Sequence, residues 1–186
     1  MNAEDVLRFW FEETGPEQWF ASSADFDQTI RQRFGDFTQG FRQQQTIAGH
    51  AWLDSADNAL ALVLVLDQFP RNIWRNSGEA FALDPLGLEA ARIMLDSGHD
   101  LELADNQRAF AYMPFMHSES LADQELCVQL CETRLPEGTN TAHHARAHRD
   151  VIAQFGRFPY RNTALGRADT PEEAQWLAGG GYRPGG

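Results

Sequence analysis

The sequence predicts an all-α protein of seven to eight helices, and three observations support this. Apolar residues recur at spacings of three and four along most of the chain, which is the period of a helix with one buried face. Residues that cap or end helices separate these stretches. The one run that could suit a buried strand, at 59–66, has no second strand-like run to pair with, and a lone strand is not stable.

Residues that favour helix N-termini open each predicted element. With alternatives where two residues qualify, they are Asn2, Ser23 or Asp25, Ser55 or Asp57, Asp84, Asp105, Ser118 or Ser120, Asn140 or Thr141, and Thr170. The segment from Asp57 to Leu66 is apolar on all sides, so we expect it to be the central, most buried helix. Pro85 follows Asp84 as an expected first helical residue, and Thr170 to Glu173 reads as a capping box.

Prolines and glycines predict where helices end. Pro114 is expected to kink or end the helix that starts at Asp105, and Gly98 and Gly156 are expected stops. We therefore expect one helical domain over residues 1–178, followed by a flexible glycine-rich tail over 179–186. Short turns between helices favour antiparallel neighbours, arranged as a bundle or as a helical superhelix.

Composition and charge exclude several classes of function. The chain has 186 residues and a formal net charge of -12, which argues against general binding of nucleic acid. The N-terminus lacks the features of a signal peptide, and no apolar run approaches the length of a membrane span. We therefore expect a cytoplasmic protein that does not bind membranes. Cys127 and Cys131 lie in an apolar helical pattern and are expected to be buried.

A short motif occurs twice, as Phe69-Pro70-Arg71-Asn72 and as Phe158-Pro159-Tyr160-Arg161-Asn162. In both places we expect the Phe-Pro pair to end a helix, with an Arg and an Asn after it. The polar residues around the two copies are Asp67, Gln68, Arg71, Asn72, Arg75, Arg157, Arg161 and Asn162. Two interpretations remain open: these residues cap helices and form structural ion pairs, or the Arg side chains bind a carboxylate or another anion.

Histidines supply the other candidates. His117 and Glu119 are predicted to flank the start of a helix, where a His beside a carboxylate could exchange protons near neutral pH. His144 and His148 have the i, i+4 spacing of helical metal ligands, but no Glu stands where a zinc protease has its base. The sequence therefore predicts no metal and no cofactor, and leaves His148 as a candidate ligand contact.

These residues also carry a resemblance to a known family. The chain resembles the bacterial family called domain of unknown function 924, in the strings VLRFWF (6–11), VLDQFPRNIWR (65–75), AFALDP (80–85), FAYMPFMHSESLADQ (110–124) and HRDVIAQFGRFPYRN (148–162). The resemblance implies an all-helical superhelix like that of tetratricopeptide proteins. It implies no activity and no functional residue. Tyr160 departs from the family pattern, in which a His is expected.

Three functions are compatible with the sequence. The first is a binding module whose Arg- and His-lined groove takes an acidic peptide of a partner protein or a small anionic ligand. The second is an enzyme for a small molecule, with His117 and Glu119 as acid-base groups and the Arg side chains as clamps. The third is a scaffold without a site. No catalytic motif decides between them, and we favour the first.

Overall fold

Helices joined by short turns make up the structure, a computed structural model that describes residues 1–19, 21 and 23–182; these residues contain no strand. The α-helices are α1 (Ala3–Arg8), α2 (Pro16–Trp19), α3 (Ala24–Gly40), α4 (Ala56–Val63), α5 (Phe69–Ile73), α6 (Asp84–Asp96), α7 (Asp105–His117), α8 (Leu121–Arg134), α9 (Asn140–Phe155) and α10 (Pro171–Ala178). A π-helical segment, Phe9–Glu13, continues α1, and another, Leu64–Gln68, joins α4 to α5. Short 3₁₀ turns include Pro159–Arg161, after α9.

The prediction of an all-α protein is confirmed. If each π-helical segment is counted with the helix it continues and the one-turn α2 is left out, the described residues form eight helices. Consecutive helices pack on each other, α6 on α7, α7 on α8 and α8 on α9, while α4 contacts α1, α6 and α7. Within the described residues, no helix combines the length and the apolar character that a membrane span requires.

Most predicted helix ends lie where the sequence placed them. Asn2 and Ser23 accept hydrogen bonds from backbone amides in the first turns of α1 and α3, and Thr170 forms the capping box of α10. Gly156 ends α9 with a φ of 68°, a left-handed conformation that favours glycine. Asp84 is not a cap: α6 is capped by Leu83, and Asp84 is its first residue. Its carboxylate turns to two arginines, described below.

Pro70 and Pro114 lie within continuous helical structure, with helical residues before and after them. The predicted helix end at Phe69-Pro70 is wrong, because α5 begins at Phe69 directly after the π-helical segment. The wider π turn gives the Pro70 ring room that a regular turn lacks. Pro114 does not end α7 either, which continues to His117. The buried residues on both sides of Pro114 stabilise that last turn through packing. His117 is therefore the last residue of α7, and not a residue outside the helices just before the N-cap of α8.

The hydrophobic core has two parts. The larger one is centred on α4 and its π-helical continuation, where every residue from Ala59 to Leu66 is completely buried, as predicted. Cys127 and Cys131 are buried there as free thiols. The smaller part consists of Val151, Ile152 and Phe158, with partly buried aromatic residues against it. The polar side chains of interest come from elements belonging to both parts.

Candidate functional site

A carboxylate and an imidazole form a close pair at the end of the π-helical segment. Asp67 is completely buried, and its Oδ1 and Oδ2 lie 2.8 and 3.0 Å from Nδ1 of His117, at the end of α7. Gln68 also donates to Asp67, at 2.5 Å. Since a carboxylate can only accept, Nδ1 of His117 carries the hydrogen and Nε2 keeps its lone pair. His117 Nε2 has no hydrogen-bond partner among the described residues.

Two arginines meet at the Asp84 carboxylate. Arg71, on α5, lies 3.0 Å from Asp84 Oδ1 and 3.5 Å from Asp67 Oδ1, so it bridges both acids. Arg161, in the 3₁₀ turn after α9, approaches Asp84 Oδ2 at 3.3 Å. The two copies of the Phe-Pro motif are thus linked through a third element, α6. The link is Asp84, which the sequence predicted only as the start of a helix.

Arg161 is poorly paired for a buried cation. Its side chain is 5% exposed, its contact with Asp84 is long, and its Nε is buried with no hydrogen-bond partner in the described residues. Its guanidinium lies 4.5 Å from the ring centres of both Phe81 and Phe158. These rings attract the charge but accept no strong hydrogen bond from its edge. The guanidinium edge is therefore available to an acceptor that the protein does not supply.

Two more polar groups beside these rings lack partners. His148 donates from Nδ1 to the carbonyl of His144 at 2.8 Å, which leaves Nε2 as an acceptor, buried and unpaired in the described structure. The Tyr160 hydroxyl is likewise buried and unpaired there. The His148 ring lies 6.1 Å from that of His117, and the Tyr160 ring lies 5.3 Å from that of Phe158.

We call the group of seven side chains the polar cluster. It consists of Asp67, Arg71, Asp84, His117, His148, Tyr160 and Arg161. Two carboxylates balance two guanidiniums, so the polar cluster is neutral when its imidazoles are neutral. It combines donors without a hydrogen-bond partner in the described residues, Nε of Arg161 and the Tyr160 hydroxyl, with acceptors that also lack one, Nε2 of His117, Nε2 of His148 and Oδ1 of Asp84. Unpaired groups are unusual among buried side chains and point to a missing partner.

Burial and charge shift the pKa values in the polar cluster. Burial, reinforced by Arg71, lowers the pKa of His117, although Asp67 opposes this. Burial lowers the pKa of His148 to about 3. For Asp67, burial raises the pKa, but Arg71 and His117 together hold it below its ordinary value. Burial raises the pKa of Tyr160. At neutral pH the polar cluster thus holds a charged Asp67 beside a neutral His117.

The C-terminal segment contacts the polar cluster through Tyr182. Its hydroxyl lies 2.7 Å from Nδ1 of His144, and its ring centre is 5.1 Å from that of His148. The backbone reaches this position because Gly181 passes over Trp176, where an added Cβ would lie 2.3 Å from the indole. Residues 183–186 of the predicted tail lie outside the described residues.

Some predicted site residues lie outside the polar cluster. Arg75 donates from Nε and Nη2 to Asp27 of α3, at 2.6 and 2.7 Å. Asn72 accepts from Arg75 and donates to the carbonyl of Gln68. In the contacts of the described residues, the Gln68 side chain reaches the polar cluster through its bond to Asp67. These contacts join α3 to the end of α5. Arg75 therefore forms a structural ion pair, which was the first of the two interpretations of these arginines.

In the second copy of the motif, too, some residues belong to the polar cluster and others do not. Arg157 donates from Nε and Nη2 to Glu173 at 2.6 and 2.7 Å, and lowers the pKa of that carboxyl to about 2. Asn162 also donates to Glu173, at 3.3 Å. These residues anchor α10 and do not approach Arg71 in any described contact.

The expected pairing of His117 with Glu119 does not occur. Glu119 lies before α8, not in its first turn, because Ser120 is the N-cap. It accepts from Arg167 at 2.8 and 3.0 Å and from the backbone amide of Phe158 at 2.8 Å. Although burial raises the pKa of Glu119, these donors lower it overall. The carboxylate that contacts His117 is Asp67 instead.

Sequence reasoning missed Asp84, Tyr160 and the aromatic pair around Arg161. Asp84 was predicted as a helix N-cap, and that role was enough to account for its carboxylate, so no ion pair with an arginine was expected. Tyr160 was noticed only as a departure from a family pattern. In the described residues, no group of three or more His, Cys, Asp or Glu side chains is arranged to hold a metal ion.

Comparison with known proteins identifies the family. Residues 6–181 match the family described as "Bacterial protein of unknown function (DUF924)", and the chain belongs to it. Among solved structures, a protein of unknown function from Agrobacterium tumefaciens, ATU0120, is similar, with 40% sequence identity and a TM-score of 0.86. The match covers 94% of this chain and 96% of that one. No curated protein matches. The resemblance seen in the sequence is confirmed.

Proposed function

We propose that the polar cluster binds a small molecule that carries a carboxylate or phosphate group, with Arg161 as the principal contact. One observation carries this proposal: in the described structure a buried guanidinium with five donors makes one hydrogen bond to a carboxylate, long at 3.3 Å, and its Nε has no partner. Guanidiniums are strongly matched to carboxylate and phosphate oxygens, which would occupy the unpaired edge.

The unpaired Tyr160 hydroxyl supports the same ligand. A hydroxyl can donate to an anion that Arg161 holds, and it lies on a residue adjacent to Arg161 in the 3₁₀ turn. Because Asp84 already contacts both arginines, an arriving anion competes with a carboxylate rather than filling an empty positive pocket. This favours modest affinity and selectivity for a particular shape.

The limited exposure of the polar cluster favours a small ligand over an acidic peptide. Arg71, Asp84 and His117 retain 20%, 18% and 13% of their side-chain exposure, while the other charged members are nearly covered. A peptide needs an extended groove along which several side chains dock. A molecule with one anionic group needs only a short opening, and these three partly exposed side chains are where it would reach the polar cluster.

Calorimetric titration of acetate, sulfate and orthophosphate tests the proposal. We expect the wild-type protein to bind at least one of them with a dissociation constant near or below about 1 mM. Arg161→Gln should weaken binding at least about tenfold. Arg146→Gln removes the same charge from an exposed pair with Glu132 and should bind like the wild type.

Two results would overturn the proposal. One is that none of the three anions binds at about 10 mM. The other is that Arg161→Gln, folded by circular dichroism, binds as tightly as the wild type. If that variant does not fold, Arg161→Lys keeps the charge but loses the Nε donor, and it should show the same weakened binding.

A second candidate function is proton transfer on the bound molecule, which the contact between Asp67 and His117 favours. A carboxylate on Nδ1 orients an imidazole so that Nε2 can accept a proton from a substrate or a water. Release of nitrophenol from 4-nitrophenyl phosphate, lost in His117→Gln, would support an enzyme. No release by a wild-type protein that binds phosphate would count against a phosphatase.

A further inference from the structure

We infer that the polar cluster takes up a proton together with its anion, and that Nε2 of His117 is the atom that receives it. This inference rests on the proposed function, since it concerns the same site. It assigns to Asp67 and His117 a role in ligand binding that is separate from the contact made by Arg161.

The geometry leaves one place for the proton. Nδ1 of His117 already donates to both oxygens of Asp67, at 2.8 and 3.0 Å. Nε2 has no hydrogen-bond partner in the described residues, and the side chain keeps 13% of its exposure. The ring is thus held in one orientation with its basic nitrogen accessible. Asp67 can stabilise the imidazolium without moving.

The charged groups that the described contacts connect to His117 lie on several elements, and their charges cancel before the anion arrives. Asp67 and Arg71 lie on the π-helical segment and α5, Asp84 lies on α6, and Arg161 lies in the 3₁₀ turn after α9. The neighbouring ring on α9 is His148. With this balance, burial decides the protonation state of His117, and the neutral form prevails at neutral pH.

An anion at Arg161 changes that balance. It adds at least one negative charge to a group of side chains shielded from water, where charges interact more strongly than in solution. The imidazolium form of His117 is then favoured because it restores neutrality. The anion therefore raises the pKa of His117, and by linkage a lower pH strengthens the binding of the anion.

The other titratable members are poor acceptors for this proton. Burial, with a contribution from the positive charge of Arg161, lowers the pKa of His148 to about 3. Tyr160 is protonated already, because burial raises its pKa. Asp67 is paired with Arg71, so its protonation would remove one of the two carboxylates that neutralise that buried guanidinium.

Calorimetry in two buffers of different ionisation enthalpy measures the proton directly. Sulfate and acetate are suitable probes because both remain ionised above about pH 6, so any proton taken up belongs to the protein. With the probe that binds, we expect net proton uptake, of up to one proton per anion, at pH values between the pKa of His117 in the free state and its pKa in the bound state. The affinity should fall about tenfold per pH unit between the pKa of His117 in the free and bound states.

Variants separate this inference from the proposed function. His117→Asn keeps an N–H donor near the position of Nδ1 for Asp67 but cannot take up a proton, so uptake should vanish and the affinity should no longer change with pH. His143→Asn alters an exposed histidine and should leave the uptake unchanged. Binding without proton uptake in the wild type, or uptake that persists in His117→Asn, overturns the inference alone. Absence of binding by both probes overturns this inference, and failure of orthophosphate as well overturns the proposed function.

Discussion

Replacing Asp67 with Asn tests how strongly the charges of the polar cluster depend on each other. The carboxylate is completely buried and contacts His117 and Arg71, while Gln68 donates to it. Asparagine has nearly the same shape, so the substitution removes the charge and leaves the packing intact. One of the two acids that neutralise Arg71 is then lost.

The size of the effect follows from burial. Removing one partner of a buried ion pair costs about 3–5 kcal/mol, because the remaining charge stays buried without its partner. Here Arg71 keeps Asp84, at 3.0 Å, so the loss lies at the lower end, about 3 kcal/mol. For a chain of this length, each kcal/mol shifts the melting temperature by about 2–4 °C, which gives a decrease of about 6–12 °C.

Urea unfolding at pH 7, followed by circular dichroism, measures this loss. Asp150→Asn is a matched control, because that carboxylate is 68% exposed beside Arg149 and should change stability by less than about 0.5 kcal/mol. The pKa of Asp67 is depressed in the folded chain, so its contribution is complete above about pH 4 and is lost as the pH falls further. The difference between wild type and Asp67→Asn should therefore shrink in acid. A variant within 1 kcal/mol of wild type at pH 7 would refute the reasoning.

Three further predictions concern stability and the C-terminal segment. Burial lowers the pKa of His148 to about 3, so as the pH falls His148 is protonated in the unfolded chain before it is protonated in the folded one. The free energy of unfolding, measured with urea, should therefore fall by about 2 kcal/mol from pH 7 to pH 5. The decrease should be smaller in His148→Gln. Leu62→Ala should lose about 2–5 kcal/mol in the same assay, whereas Leu121→Ala, 41% exposed, should lose far less; equal losses would contradict the central position of α4. Gly181→Ala places a Cβ against Trp176 and should change the tryptophan emission; an unchanged spectrum would argue against this packing.

The helices could be predicted because their signals are local. Spacing of apolar residues, caps such as Asn2 and Ser23, and the stop at Gly156 each involve a few consecutive residues. The completely apolar run from Ala59 to Leu66 also placed the centre of the core correctly, since such a helix has no face suited to water.

The errors arise where packing overrides a local signal. The sequence left open whether Pro114 kinks or ends its helix; buried neighbours on both sides continue α7 to His117, so the predicted place of His117 outside the helices was wrong. No sequence signal indicated the π-helical segment, which carries Asp67 and whose wider turn accommodates the ring of Pro70. Because both errors concern the elements that position Asp67 and His117, the sequence assigned His117 the wrong carboxylate.

The site could be predicted only in part, because its residues are visible in the sequence but their contacts depend on tertiary packing. Asp67, Arg71, His117, His148 and Arg161 were all candidates, and the structure brings them together. Their partners could not be inferred, because Asp67 and His117 are 50 residues apart and only tertiary packing joins them. The ligand-binding role of these residues and the cytoplasmic location remain predictions.

A crystal structure grown with the tightest-binding anion tests the central claim most directly. The account predicts an anion oxygen within about 3 Å of Nε of Arg161 and a second oxygen at the Tyr160 hydroxyl. An anion bound elsewhere on the protein, with the edge of Arg161 occupied by water alone, would contradict it.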